Sequence, residues 1–173
     1  MEYTKNKLSD DVQVFLRSVK QALDIDFIFY GSVQRLDYYR GSDIDISIFT
    51  DNVSSVISKL AAYLNVDKRK IKRTFSMSHG KYNPVLGNKI YYISENLSSP
   101  IEFSIYNVKD KDEVITRYHS KLNVPIYVSV LLILTKFIFH TLHLIDLARY
   151  KDIKAFLLST ALGKRPDIFI PLI

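Results

Sequence analysis

Residues 27–49 read "FIFYGSVQRLDYYRGSDIDISIF" and place two aspartates one residue apart inside an otherwise apolar segment. Isoleucines alternate with polar residues from position 43 to position 49, which is the pattern of a strand with one apolar and one polar face. Asp43 and Asp45 therefore point to the same face. A buried carboxylate costs several kcal/mol unless it is compensated, and two such charges side by side cannot both ionise cheaply without a cation. The segment predicts a strand that presents a pair of carboxylates to a cation.

Three further features surround this pair. Gly31 and Ser32 stand where a short apolar strand ends, and a glycine turn with a serine hydroxyl and free backbone N–H groups suits a phosphate. Arg35 follows three residues later and could bring a positive charge to the same phosphate. The stretch "PIEFSIYN" repeats the apolar–polar alternation around Glu102. We expect Glu102 to supply a third carboxylate from a neighbouring strand.

Oxygen ligands of this kind suit hard divalent cations, so the site predicts Mg²⁺ or Mn²⁺, as one ion or as a pair. A phosphate site beside a carboxylate-bound metal is what transfer from a nucleoside triphosphate requires. Arg40, directly before Gly41, is a further candidate to reach over the bound nucleotide, although a plain surface arginine is an equal alternative.

The spacing Gly31-Ser32, ten residues, then Asp43-Ile44-Asp45 resembles the signature of the polymerase-beta-like nucleotidyltransferase superfamily, and most of all its minimal members. The resemblance implies a small mixed sheet, two metal ions held by three carboxylates, and transfer of a nucleoside monophosphate from an NTP such as ATP to a hydroxyl, with release of pyrophosphate. It implies that Asp43 and Asp45 are metal ligands.

By the same resemblance Ser32 contacts the triphosphate, and Arg35 matches a Gly-Ser-x-x-Arg pattern found in some members. Glu102 takes the place of the third carboxylate on strand pattern and order alone, at a position that is aspartate in many members. The clear match covers residues 27–49, a looser one extends to Tyr106, and the chain after about residue 110 matches no family pattern.

The order of predicted elements is helix, strand, short helix, strand, helix, three strands and then helices, which is typical of the α+β class. Helices are predicted at 9–23, 53–64, 111–119, 127–150 and 153–162, and strands at 27–30, 43–49, 71–77, 90–95 and 101–106. We therefore expect a catalytic core over residues 1–110 and a helical C-terminal extension over residues 111–173, packed on the core or on a partner.

Composition excludes several classes of protein. The 173 residues contain no cysteine, so neither a disulfide nor a thiolate metal site can form, which fits a reducing, cytoplasmic setting. The net charge of +6 favours anionic partners only weakly. The apolar run 125–139 is interrupted by Lys136 and is shorter than the roughly 20 residues that a spanning helix needs, so a membrane anchor is not favoured.

Several sequence features remain open between a functional and an ordinary interpretation. The basic residues at 68–73 could follow a nucleic-acid backbone or form a solvated surface. His140 and His143 share a helix face but lack a third metal ligand. The segment 125–147 has more apolar surface than is needed to cover a small sheet. This excess predicts a homo-oligomer or an interface with a partner protein.

The acceptor is likewise open between a protein, a nucleic-acid end and a small molecule. The alternative to an enzyme is a catalytically idle module of the same fold that binds through its apolar C-terminal helix.

Overall fold

The computed structural model describes residues 4–39, 42–77, 85–120, 122, 124–163 and 168–172, and a mixed β-sheet forms its centre. The strands are β1 (Ile28–Tyr30), β2 (Ile44–Thr50), β3 (Lys72–Met77), β4 (Val85–Tyr92), β5 (Ile101–Asn107) and β6 (Ile168–Leu172). In the described part of the chain their order across the sheet is β1-β2-β5-β4-β3-β6. Strands β2 and β5 are parallel, and the other neighbouring pairs are antiparallel.

Helices stand before, between and after the strands. They are α1 (Asp10–Leu23), α2 (Val53–Tyr63), α3 (Lys111–Ser120), α4 (Ile126–His140) and α5 (Leu147–Leu162). Asn52 caps the start of α2 and Asp146 caps the start of α5, because each side chain accepts a hydrogen bond from a backbone N–H of the first turn. The predicted α+β class is confirmed.

The main core lies on one face of the sheet, beneath α1 and α2. Alternate residues of the parallel strands β2 and β5 point into it and are fully buried, as the period of two requires. They meet Val12, Leu16 and Val19 of α1 and Leu60 of α2. The polar residues between these apolar positions therefore point to the opposite face, toward α4 and α5.

The structure differs from the sequence-based expectation in three elements. Strand β4 begins at Val85 rather than at residue 90, so Gly87 lies inside a strand instead of in a connection. The single helix expected over 127–150 is two helices, α4 and α5, with His143 at a positive φ of 51° between them. The extension is not wholly helical, because β6 pairs with the sheet along β3.

The break between α4 and α5 has a local cause that a continuous apolar pattern conceals. The Asp146 carboxylate accepts a hydrogen bond from the backbone N–H of Arg149 at 2.8 Å, which starts a new helix. The turn folds α5 back on α4, so that the rings of Phe139 and Tyr150 stack with centroids 4.6 Å apart.

Helix α4 leaves much of its apolar surface open. The half-exposed side chains include Val130, Leu131, Leu134 and Phe137. Within the described ranges, no helix combines the length and the apolar character needed to cross a bilayer. The interface expected for residues 125–147 stays a prediction.

Candidate active site

The polar face of the sheet carries a row of residues that are register partners across four neighbouring strands. Tyr30 of β1 pairs with Asp45 of β2, Asp45 pairs with Glu102 of β5, and Glu102 pairs with Tyr91 of β4. Neighbouring strands lie about 4.8 Å apart. The structure thus brings Glu102 directly beside Asp45, the strand neighbour expected from its sequence pattern.

Gly31 is fitted against Asp45. It begins a single turn of 3₁₀ helix, Gly31–Gln34, and its φ of +72° is a conformation that favours glycine. A Cβ at this position would collide with the Asp45 carboxylate, with Asp45 Cγ only 2.9 Å away. The turn can therefore approach the carboxylate closely only because residue 31 has no side chain. Ser32, the next residue, is buried in the same turn.

The three carboxylates repel one another. Burial raises the pKa of Asp45 to about 8, and the charges of Asp43 and Glu102 add to the increase. Lys154 of α5 and Lys89 of β4 act in the opposite direction without cancelling it. A carboxyl group with so high a pKa indicates that the cluster has too little positive charge.

Glu102 is held by polar groups on both sides. Its Oε1 accepts hydrogen bonds from Lys89 Nζ, with which it forms an ion pair, and from the Tyr30 hydroxyl at 3.3 Å. The Ser104 Oγ, 2.9 Å from the Tyr30 hydroxyl, lies 3.5 Å from the same carboxylate oxygen. Burial alone would lower the pKa of Lys89, but the Glu102 carboxylate outweighs it and the pKa is raised.

The chemistry of this donor set fits a divalent cation. Asp43, Asp45 and Glu102 offer the carboxylate oxygens that Mg²⁺ and Mn²⁺ prefer. Across the residues that the structure describes, no group of three or more His, Asp or Glu side chains is already arranged around a metal position. The ammonium group of Lys89 supplies the nearest positive charge to Glu102 instead.

A cavity of about 470 Å³ opens between this face of the sheet and the helices α4 and α5. Asp43, directly before β2, and Glu102 of β5 line it, together with the aromatic side chains of Tyr91, Phe139 and Tyr150. Asp45, Gly31 and Ser32 are not among the lining residues and lie behind this wall. Five lysines also reach the cavity: Lys70, Lys72, Lys89, Lys151 and Lys154. The volume is in the range of small-molecule sites, and the lysines suit a polyanion.

Arg35 lies away from the cavity wall in a buried ion pair. Its Nε and Nη2 donate to the two oxygens of Asp37 at 2.7 and 3.0 Å, and both residues are almost completely buried. Lys136 of α4 completes the group, with its Nζ 3.2 Å from Asp37 Oδ2. A phosphate could reach this guanidinium only after the pair with Asp37 had opened.

The other sequence candidates divide as follows. Arg40 lies outside the described residues. Of the basic residues at 68–73, Lys70 and Lys72 reach the cavity, and of the two histidines on the α4 side His140 reaches it. Burial lowers the pKa of His140, as does the charge of Lys136.

Sequence reasoning missed Lys89, Tyr91, Tyr150 and Lys154. Lys89 and Tyr91 stand on either side of buried Ile90, and this alternation is typical of a strand. The strand was predicted to begin at residue 90, however, which left Lys89 outside it. Tyr150 and Lys154 are one helical turn apart on α5, and only the fold of α5 against α4 carries them to the carboxylates.

The family model described as a nucleotidyltransferase domain matches residues 12–151 of the chain. No curated protein sequence matches it. Two solved structures are similar, one described as a Cid1 poly(U) polymerase and one as Cid1 in complex with the UTP analog UMPNPP. Both share 14% identity with the chain, at TM-scores of 0.41 and 0.42. The matches cover 78% and 85% of this chain but only 42% and 48% of theirs, so the chain spans less than half of either neighbour.

Proposed function

This chain belongs to the nucleotidyltransferase domain family, and from that premise we propose that it transfers a nucleoside monophosphate from a nucleoside triphosphate to an acceptor hydroxyl. The observation that carries the proposal is the register of β2 and β5, which sets Glu102 beside Asp45 on the polar face of the sheet. Asp43 and Glu102 line the cavity, and Asp45 lies beside Glu102. An idle member of such a fold has no need to keep three mutually repelling carboxylates so close together.

Asp43, Asp45 and Glu102 would hold Mg²⁺ or Mn²⁺, as one ion or two. When bound, the metal neutralises phosphate charge and polarises the phosphoryl oxygens. The raised pKa of Asp45 supports this assignment, because a cation at this place would relieve the repulsion that raises it. The hydrogen bonds from Tyr30 and Lys89 hold the Glu102 carboxylate on the cavity side of β5.

The triphosphate is assigned to the Gly31–Gln34 turn and the lysines of the cavity. The backbone of the turn can approach closely because Gly31 lacks a side chain, and Ser32 follows it. Lys151 and Lys154 face the carboxylates from α5 and can neutralise the phosphates. Because Arg35 is already paired with Asp37, we propose that it stabilises the chain after the turn and does not contact the phosphates directly.

In the reaction the acceptor oxygen bonds to the α-phosphorus, and the bond from that phosphorus to the β-phosphate oxygen breaks. Pyrophosphate leaves with the electron pair of the broken bond, and the acceptor proton passes to one of the three carboxylates. The aromatic rings of Tyr91, Phe139 and Tyr150 offer surfaces on which a nucleobase can stack. The acceptor class stays open between a protein, a nucleic-acid end and a small molecule. A second copy or a protein partner could cover the exposed face of α4.

The first experiment measures thermal unfolding with each of the four NTPs, with and without Mg²⁺ or Mn²⁺. A ligand at about 100 times its dissociation constant adds roughly 2.7 kcal/mol, which is a shift of about 5–10 °C for a chain of this length. The shift should require metal and should disappear in Asp45→Asn. Asp51→Asn is the matched control, because Asp51 is exposed and follows the far end of β2.

The nucleotide that gives the largest shift is then used for turnover, with pyrophosphate release measured against candidate hydroxyl acceptors. A metal-dependent shift that Asp51→Asn keeps and Asp45→Asn loses supports the proposal. Absence of any shift with all four nucleotides contradicts it, and leaves an idle module that acts through the apolar surface of α4.

A further inference from the structure

Lys136 of α4 connects the C-terminal extension to the segment that precedes Asp43. It is only 3% exposed. Its Nζ donates to the backbone oxygen of Asp37 at 2.5 Å and to Ser42 Oγ at 3.3 Å. Asp37 follows the Gly31–Gln34 turn, and Ser42 directly precedes Asp43. One ammonium group therefore bonds to the chain at both of these points.

Charge balance does not account for this lysine. Asp37 is fully buried and is already paired in bidentate fashion by Arg35. Lys136 adds a second cation to a single carboxylate, so the buried group of three carries one excess positive charge. Burial lowers the pKa of Lys136, although the Asp37 carboxylate opposes the change. An apolar side chain of similar length would leave a neutral Arg35–Asp37 pair, so its cost to the fold comes from Asp37 O and Ser42 Oγ, which would lose a donor.

The position of Lys136 links two walls of the cavity. His140, one turn further along α4, lines the cavity, as do Ser42 and Asp43 on the opposite side. Helix α5 packs on α4 and brings Tyr150 and Lys154 to the same space. The bonds from Lys136 to Asp37 and Ser42 therefore set the distance between the carboxylate wall and the helical wall.

We propose that Lys136 is a positioning residue of the active site, which fixes Asp43 relative to the helical wall through Ser42 and the backbone of Asp37. The inference rests on the proposed function, since it concerns the same carboxylates. Its physical basis is the sensitivity of transfer reactions to geometry, where a misplacement of about 1 Å can cost about 100-fold in rate. Groups that orient metal ligands from outside have comparable effects, of about 10–100-fold, on metal affinity.

The test compares Lys136→Met with the surface control Lys59→Met on α2, using the full chain. Unfolding temperature without ligand, Mn²⁺ affinity by calorimetry, and kcat and KM for the NTP are measured on each. We expect Lys136→Met to unfold within about 3 °C of the wild type, which corresponds to a change of about 1 kcal/mol. It should bind Mn²⁺ about 10-fold more weakly. The fold-decrease in its kcat should be larger than the fold-increase in its KM. Lys59→Met should match the wild type throughout.

Wild-type Mn²⁺ affinity and wild-type kcat in Lys136→Met would overturn the inference and leave the proposed function intact. Loss of stability in proportion to the loss of Mn²⁺ affinity would also overturn it, because a merely structural lysine behaves in that way. If Lys136→Met does not fold, Ser42→Ala decides, since it removes the acceptor next to Asp43 and should likewise weaken Mn²⁺ binding. A wild type that binds neither Mn²⁺ nor any NTP would overturn both proposals together.

Discussion

Two clusters of charged side chains draw residues from the segment 31–45. One has an excess of negative charge and the other an excess of positive charge. Asp43, Asp45 and Glu102 carry more negative charge than Lys89 offsets, and Glu102 and Lys89 are 21% and 23% exposed at a cavity. Arg35, Lys136 and Asp37 carry an excess positive charge and are 4% exposed or less. The open cluster can be reached from the cavity, whereas the closed cluster is sealed from solvent. This difference in exposure is the reason for proposing a cation site at the first cluster and a positioning role for Lys136 in the second.

The largest expected effect comes from breaking the closed cluster at its centre. Asp37→Asn would leave two buried cations without a carboxylate, and loss of one partner of a buried ion pair costs about 4 kcal/mol. We expect the unfolding temperature to fall by about 8–16 °C, as measured by calorimetry. Asp51→Asn, at an exposed position, should stay within about 0.5 kcal/mol of the wild type. Equal stability of the two variants would show that Arg35 and Lys136 do not depend on this carboxylate.

Gly31→Ala tests how tightly the open cluster is packed against the turn. The new Cβ would overlap the Asp45 carboxylate in addition to the strain of a positive φ, so we expect a loss of about 3 kcal/mol in the free energy of unfolding. Gly163→Ala is the matched control, because Gly163 also has a positive φ but has open space around it, and should lose only about 1 kcal/mol. Urea unfolding of both variants measures the difference. Equal losses would mean that the turn does not press against Asp45.

The pH dependence of stability should report the crowding of the carboxylates. The pKa of Asp45 is raised from 3.8 to about 8 in the folded chain, so the folded state keeps a proton that the unfolded chain releases. The contribution of Asp45 to the free energy of unfolding of the metal-free protein should therefore be greatest below about pH 4. It should decrease as the pH rises to about 8. Asp45→Asn should flatten the curve between these values in thermal unfolding. If the stability of the wild type depends on pH as little as that of the variant, the three carboxylates do not repel one another as described.

Lys89→Met gives the smallest of these effects. Because the ammonium group pairs with Glu102, its removal takes a competing cation away from the carboxylates. A partly exposed ion pair is worth about 1 kcal/mol at most, so Mn²⁺ should bind roughly fivefold more tightly to the variant. Calorimetric titration of Mn²⁺ into Lys89→Met and into the surface variant Lys59→Met makes the comparison. Unchanged or weaker binding to Lys89→Met would show that the ammonium group does not compete with the metal.

Local patterns anticipated much of the fold and the placement of Asp45 beside Glu102. The alternation along β2 and β5 is a backbone property, so it gave the faces of Asp45 and Glu102 correctly. Two element boundaries were predicted wrongly, the start of α5 and the start of β4, because the hydrophobic pattern alone does not mark them. The start of α5 depends on the Asp146 cap within a continuous apolar run. The early start of β4 places a glycine inside a strand, against Tyr106.

Sequence alone determined the face that Asp45 takes on β2, the glycine turn before it and the α+β class, because these follow from periodicity and from residue types within a short segment. Asp43 directly precedes β2 instead of lying in it. Tertiary structure decided which charges meet. Arg35 pairs with Asp37 two residues away, but Lys136 reaches the same carboxylate from 99 positions further along the chain. Lys89 and Glu102 come together because β4 and β5 are neighbours in the sheet. Electrostatic interactions depend on distance in space, and only the folded chain sets that distance.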